Sequence, residues 1–220
     1  MKGALFDLDG VIADTAVYHF AAWRQLVKIH FDADLPDELE EKTKGVSRED
    51  SLQIILDYLD IKVSKEEFAA LAAEKNHLYI HALEILSQND ILPGIQQLLN
   101  DLKSNGIKIA LASASKNGPT ILEKLGLTSY FDAIADPSKI NSGKPAPDIF
   151  LAAASALNLS PYDCVGIEDS IAGITAINTA NCVSIGVGGA ELNHANKRFN
   201  ATSDLNYQDI KKAWQVYHHN

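Results

Sequence analysis

Two hydrophobic rhythms divide this chain. From about residue 89 onward, short apolar runs alternate with stretches spaced like helices. Ile107-Lys108-Ile109-Ala110-Leu111-Ala112 reads as a strand, as do Cys164-Val165-Gly166-Ile167 and Val183-Ser184-Ile185-Gly186-Val187; Ala133-Ile134-Ala135 is a weaker one. Between them, 94–104, 119–125, 148–157 and 171–179 carry helix-compatible spacing. A further apolar run, Gly3-Ala4-Leu5-Phe6, opens the chain. Strand and helix in alternation predict an α/β fold with a parallel sheet covered on both faces. Such sheets gather ligands at the carboxyl ends of their strands.

The segment 16–88 follows the second rhythm. It is rich in Leu, Ala, Glu and Lys and shows no convincing strand. Phe20, Trp23 and Val27, and again Phe68, Leu71 and Leu78, recur at helical spacing. This predicts a helical bundle inserted after the first strand. Its expected hinges are Ala13-Asp14-Thr15 and Asn89-Asp90-Ile91-Leu92-Pro93-Gly94, where Pro93-Gly94 marks the return. The expected division is a core of 1–15 and 89–220 and a helical cap of 16–88.

Composition narrows the partners. A 220-residue chain with 46% hydrophobic and 22% charged residues is ordinary for a soluble globular protein. A net charge of −10 argues against nucleic acid and against an anionic membrane surface. A small anionic substrate stays open, because local charge can oppose the global sign. The opening apolar run is cut by Asp7 too early for a signal peptide. No apolar stretch approaches the roughly 20 residues of a membrane helix. Cys164 and Cys182 have no metal or redox spacing and read as reduced core residues, so the expected compartment is the cytoplasm.

The candidate chemistry lies where predicted strands end. In Phe6-Asp7-Leu8-Asp9-Gly10 a continuing strand would put both carboxylates on one face, and Gly10 permits a sharp turn. Alone, the pair reads more simply as a polar strand end. The other strand ends change that weighting. They carry Ser113 with Ala114-Ser115-Lys116-Asn117, then Asp136, then Glu168-Asp169, and Lys144 stands in a Gly-Lys-Pro turn. Separated carboxylates suit Mg²⁺, a hard ion that often bridges to phosphate. A serine hydroxyl, backbone N–H groups and a lysine suit phosphate oxygens. Phosphoryl transfer needs chiefly positioning and charge neutralisation. One aspartate can act as nucleophile and a second as general acid–base.

Asp7-Leu8-Asp9-Gly10-Val11-Ile12, Ser113, Lys144 before Pro145, and Gly166-Ile167-Glu168-Asp169-Ser170 together resemble, in order and spacing, the four motifs of the haloacid dehalogenase superfamily. The resemblance implies a Rossmann-like core with a helical cap inserted between the first and second motifs. It implies Asp7 as nucleophile and Mg²⁺ ligand, and Asp9 as general acid–base with its main-chain carbonyl on the metal. Asp169 would be a further ligand, and Glu168 another ligand or a supporting acid. Ser113 and Lys144 would hold the phosphate.

The substrate must be read from the cap. In Thr43-Lys44-Gly45-Val46-Ser47-Arg48-Glu49-Asp50-Ser51, Gly45 permits unusual backbone angles, Ser47 can cap a helix and Arg48 can grip a phosphate bidentately. The stretch also suits a plain helix–loop–helix link with Arg48 in solvent. It resembles the substrate-binding loop of the β-phosphoglucomutase subfamily, as do Asp14-Thr15, Tyr18-His19 and Trp23 and the segments around Ser113 and Lys144. That resemblance implies isomerisation of a small hexose phosphate through β-glucose 1,6-bisphosphate by a monomer. Gly45, Val46, Ser47 and Arg48, with Ala114, Ser115, Lys116 and Asn117, would bind substrate and its distal phosphate; His19, Trp23 and Lys75 would sense it. On its own, His19 reads equally as a helix residue packed beside Trp23, and Lys75 as a solvated helix face. His77 and His81 lack a third metal ligand. Trp214 and Tyr217 stand at helical spacing and are expected to pack on the sheet. A sugar-phosphate or phosphoglycolate phosphatase, and a catalytically idle binding module, are the alternative readings.

Overall fold

The computed structural model describes residues 1–219, the side chain of Glu41 excepted. Six parallel strands form one sheet: β1 (Gly3–Phe6), β2 (Lys108–Leu111), β3 (Ala133–Ile134), β4 (Cys164–Glu168), β5 (Val183–Val187) and β6 (Lys197–Phe199). Their spatial order is β3-β2-β1-β4-β5-β6. The order reverses beside β1, between β2 on one side and β4 on the other. A doubly wound sheet places its ligand crevice at that switch point.

The strands are buried on both faces, and their alternation feeds two cores. Ala4 and Phe6 join Ile109, Leu111, Val165 and Ile167 on one face. Leu5 and Ala110 point to the other, against Ile149, Phe150 and Ala153. The helices that follow the strands cover them: α5 (Ile95–Ser104), α6 (Gly118–Lys124), α7 (Asp148–Ala156), α8 (Ile171–Thr179) and α9 (Tyr207–His219). Phe6 is fully buried, so Phe6→Ala would cost about 3–5 kcal/mol.

Between β1 and β2 lies the helical insertion: α1 (Ala16–Phe31), α2 (Glu38–Thr43), α3 (Arg48–Tyr58) and α4 (Lys65–Ala82). Phe20, Trp23, Leu26, Leu52, Ile55 and Leu71 give it a hydrophobic core of its own. Ser47 caps α3 by accepting from Asp50 N–H at 3.1 Å. Ser64 and Glu67 form a reciprocal capping box on α4. The two connections to the sheet run side by side, joined by an Ala13–Ile91 bridge and by Leu92 N–H donating to Ile12 at 2.9 Å.

The C-terminal part differs from the expectation in two respects. β6 was not legible, because Lys197-Arg198-Phe199 carries no apolar run. It is an edge strand, fixed by Gly188 N–H on Phe199 O at 2.9 Å and by Arg198 Nη1 on Gly188 O at 2.6 Å. Trp214 packs against the main core as its spacing predicts. Tyr217 does not pack on the sheet: it is 38% exposed, its ring set edge-on against His218. Both cysteines are free and buried. Among the described residues, no helix is long and apolar enough to cross a membrane.

Candidate active site

Parallel register brings the acids together. Phe6 is level with Leu111 on one side and Ile167 on the other. The next residues, Asp7 and Glu168, therefore leave β1 and β4 side by side. Asp7 N–H still donates to Ile167 O at 3.0 Å, which extends the ladder and fixes where the carboxyl begins. Lys144 Nζ donates to Asp7 Oδ1 and to Glu168 Oε2, both at 2.7 Å. Asp7, Glu168 and Lys144 are all buried. Glu168 Oε1 accepts from Asp169 N–H and Ser170 N–H at 3.1 Å and from Ser170 Oγ at 2.8 Å. Both oxygens of Glu168 are thus engaged, Oε2 by Lys144 and Oε1 by the Asp169–Ser170 segment. A Cβ at Gly173 would collide with the Glu168 carboxyl, so α8 can approach only through a glycine.

The charges do not balance. Burial first, then Glu168, pushes the Asp7 carboxyl well above its usual range, and Lys144 opposes the shift. Burial and then Glu168 push Asp169 up to about 7, opposed by Lys44, whose Nζ lies 2.9 Å from Asp169 Oδ2. Burial alone would lower the Lys144 amine; its ion pairs with Asp7 and Glu168 overcome this and hold it above its usual range. Asp7, Glu168 and Asp169 can offer oxygens within 4.8 Å of one another. Asp169 Oδ1 is buried without a hydrogen-bond partner. An all-oxygen donor set with an orphaned buried carboxylate atom fits a hard divalent cation such as Mg²⁺.

Asp9 sits one turn further on. Gly10 adopts φ 75°, and its N–H bonds Ala13 O at 2.9 Å, closing the turn. A Cβ there would run into the Asp169 carboxylate. Thr15 Oγ1 donates to Asp9 Oδ1. Burial raises the Asp9 carboxyl, and the Thr15 bond opposes the rise. His19 Nε2 lies 3.9 Å from Asp9 Oδ2. The His19 ring stacks on Tyr79 at 3.7 Å, and its Nδ1 meets Lys75 Nζ. Burial and the Lys75 charge hold His19 well below its usual pKa, so the ring is neutral.

Lys75 corrects the solvated-face reading. It is 1% exposed, its amine 4.7 Å above the Trp23 ring, and burial, then the Arg48 charge, brings its pKa down to about 7. His77 and His81 are exposed, and neither belongs to the acidic cluster. Asp136 stays outside the site as well: its carboxylate accepts from Ser138 N–H at 2.9 Å and caps its own turn.

One cavity of about 420 Å³ joins these groups to the insertion. Asp7, Asp9 and Asp169 line it from the core; His19, Trp23, Gly45, Val46, Ser47, Arg48 and Lys75 line it from the helices; Ala114, Ser115, Lys116 and Asn117 line it from the loop after β2. Ser113, Lys144 and Glu168 sit behind that lining. Ser113 Oγ accepts from Ser115 N–H at 3.0 Å, which sets the loop's first turn. The structure also brings in residues that sequence reasoning did not assign. Thr15 holds Asp9; Lys44 holds Asp169. Asn76 Oδ1 accepts from both Arg48 Nη2 and Asn117 Nδ2 at 2.9 Å. Thr15 and Lys44 lie inside stretches already singled out, without a role of their own there; Asn76 gave no signal in the middle of a helical stretch.

The family model of haloacid dehalogenase-like hydrolases matches residues 1–181. The chain belongs to that family. Among its relatives, the haloacid dehalogenase-like chain is 44% identical to β-phosphoglucomutase of Bacillus subtilis, over 99% of this chain and 97% of the relative. It is 32% identical to the phosphorylated carbohydrates phosphatase of Thermotoga maritima, over 82% of each. Its fold matches the crystal structure of β-phosphoglucomutase from Clostridium difficile with a TM-score of 0.96 and 46% identity, covering 100% of both chains.

Proposed function

We propose that this chain is a β-phosphoglucomutase, an isomerase interconverting β-D-glucose 1-phosphate and D-glucose 6-phosphate through β-glucose 1,6-bisphosphate. One observation carries the reading: a single cavity is lined by two polar groups of opposite character, the acidic Asp7–Asp9–Asp169 group and the Arg48–Lys116–Asn117 group. A mutase must bind phosphate at both ends of one sugar.

In this account Asp7 is the nucleophile. A carboxylate oxygen of Asp7 bonds to phosphorus as the bond from phosphorus to the sugar oxygen breaks, and Asp9 delivers a proton to that leaving oxygen. The reverse step, on the other sugar oxygen, hands the phosphoryl group on and returns the proton to Asp9. Lys144, fixed by Glu168, and Ser113 hold the phosphoryl oxygens. Asp7, Asp169 and the Asp9 carbonyl would hold Mg²⁺, which supplies charge neutralisation at the transferring phosphoryl group. His19 and Lys75 orient Asp9 and the sugar. Residues 16–88 act as the cap and 1–15 with 89–220 as the catalytic core. Closure of the cap keeps water from the aspartyl-phosphate.

A phosphatase would share Asp7, Asp9, Lys144 and Asp169 and differ in the acceptor, which would be water. The second polar cluster favours the mutase. The discriminating experiment compares the two anomers of glucose 1-phosphate with bisphosphate and Mg²⁺ supplied. Formation of glucose 6-phosphate from the β anomer alone is expected; equal turnover of both anomers would contradict the assignment.

A further inference from the structure

Glu49 puts a negative charge among the cations assigned to the distal phosphate. Its Oε1 lies 3.2 Å from Lys116 Nζ, in an ion pair that runs from the first turn of α3 to the loop after β2. Beside it, Arg48 and Asn117 both donate to Asn76. Glu49 and Lys116 line the cavity with side chains 48% and 47% exposed, so the pair can part without stranding a buried charge. An acid here repels any anionic ligand while it stays on Lys116. Specificity is a difference of affinities, and a built-in competitor raises the charge a ligand must bring.

We propose that Glu49 is a specificity-determining residue that competes with the substrate's distal phosphate for Lys116. A dianionic phosphate displaces it; a hydroxyl does not. Glu49 thereby sets a charge threshold for ligands that reach across the cavity. The inference rests on the reading that Arg48 and Lys116 take the distal phosphate.

The test is a double-mutant cycle on binding. Affinity for β-glucose 1,6-bisphosphate is measured by calorimetry in an Asp7→Asn background, which stops turnover. Glu49→Gln is expected to tighten binding by about two- to fivefold, the range of an exposed ion pair. The same change combined with Lys116→Met is expected to add nothing to Lys116→Met alone. Damage to the fold would weaken binding, so the expected sign itself separates competition from a structural role. Unchanged or weaker binding with Glu49→Gln overturns the proposal. So does equal tightening in the presence of Lys116→Met, which would show a general field and not competition for that lysine. Arg48→Ala keeps the two claims distinguishable. It is expected to weaken bisphosphate binding about tenfold or more. If it does so while Glu49→Gln has no effect, the competitor alone falls; if it has no effect, the distal-phosphate reading falls and takes the competitor with it.

Discussion

Lys144 bridges two buried carboxylates at 2.7 Å each. Removing one member of such a buried group strands the rest. Lys144→Met is therefore expected to cost about 3 kcal/mol in urea unfolding, besides abolishing activity; a variant as stable as the parent would contradict the geometry. Asp7→Asn leaves Lys144 its Glu168 partner, so it should fold while turnover falls by about 10³-fold or more. Lys75 makes a pH prediction. Its folded pKa of about 7 lies below the 10.5 of the unfolded chain. Between those values the unfolded state binds more protons, so this residue makes stability rise with pH. Unfolding free energies at pH 7 and 9 should show that rise, and Lys75→Met should flatten it. An unchanged slope in the variant would place the titration elsewhere. The strand-end residues Asp7, Ser113 and Glu168 were legible because polar groups following apolar runs fall at one edge of a parallel sheet. The burial of Lys75 was not, because it is covered only when Trp23 of α1 packs over that face of α4.

Secondary elements were read best where one rhythm dominates. The strands at 164–168 and 183–187 and the helix at 171–179 emerge close to their observed bounds because both faces of the sheet are covered, which demands unbroken apolar runs. β6 escaped because an edge strand can be polar. The insertion was legible as helical; the pairing of its two links was not, since the Ala13–Ile91 bridge joins residues far apart in sequence. The insertion's separate core has a consequence for capping. Ser64→Ala removes one half of the α4 capping box and is expected to cost about 1 kcal/mol in thermal unfolding. Because Ser64 does not line the cavity, kcat should change little; a large loss of kcat would show that helix ends in the insertion control the chemistry.

At the scale of the whole molecule, the sheet's switch point, the acid cluster and the inserted helices converge on one cavity. The unbalanced negative charge there makes the fold itself responsive to metal. Mg²⁺ at a hundredfold excess over its Kd is expected to raise Tm by about 5–10 °C, and chelation to reverse this and abolish turnover. An identical Tm with and without the ion would remove the metal from the acid cluster. The superfamily chemistry is shared by mutases and phosphatases alike, so the central claim concerns where the phosphoryl group goes. The most direct measurement follows β-D-glucose 1-phosphate by ³¹P NMR with Mg²⁺ and a trace of β-glucose 1,6-bisphosphate. Glucose 6-phosphate should accumulate well ahead of inorganic phosphate. Inorganic phosphate released without glucose 6-phosphate would mean that water, not sugar, takes the phosphoryl group from Asp7, and would contradict the account.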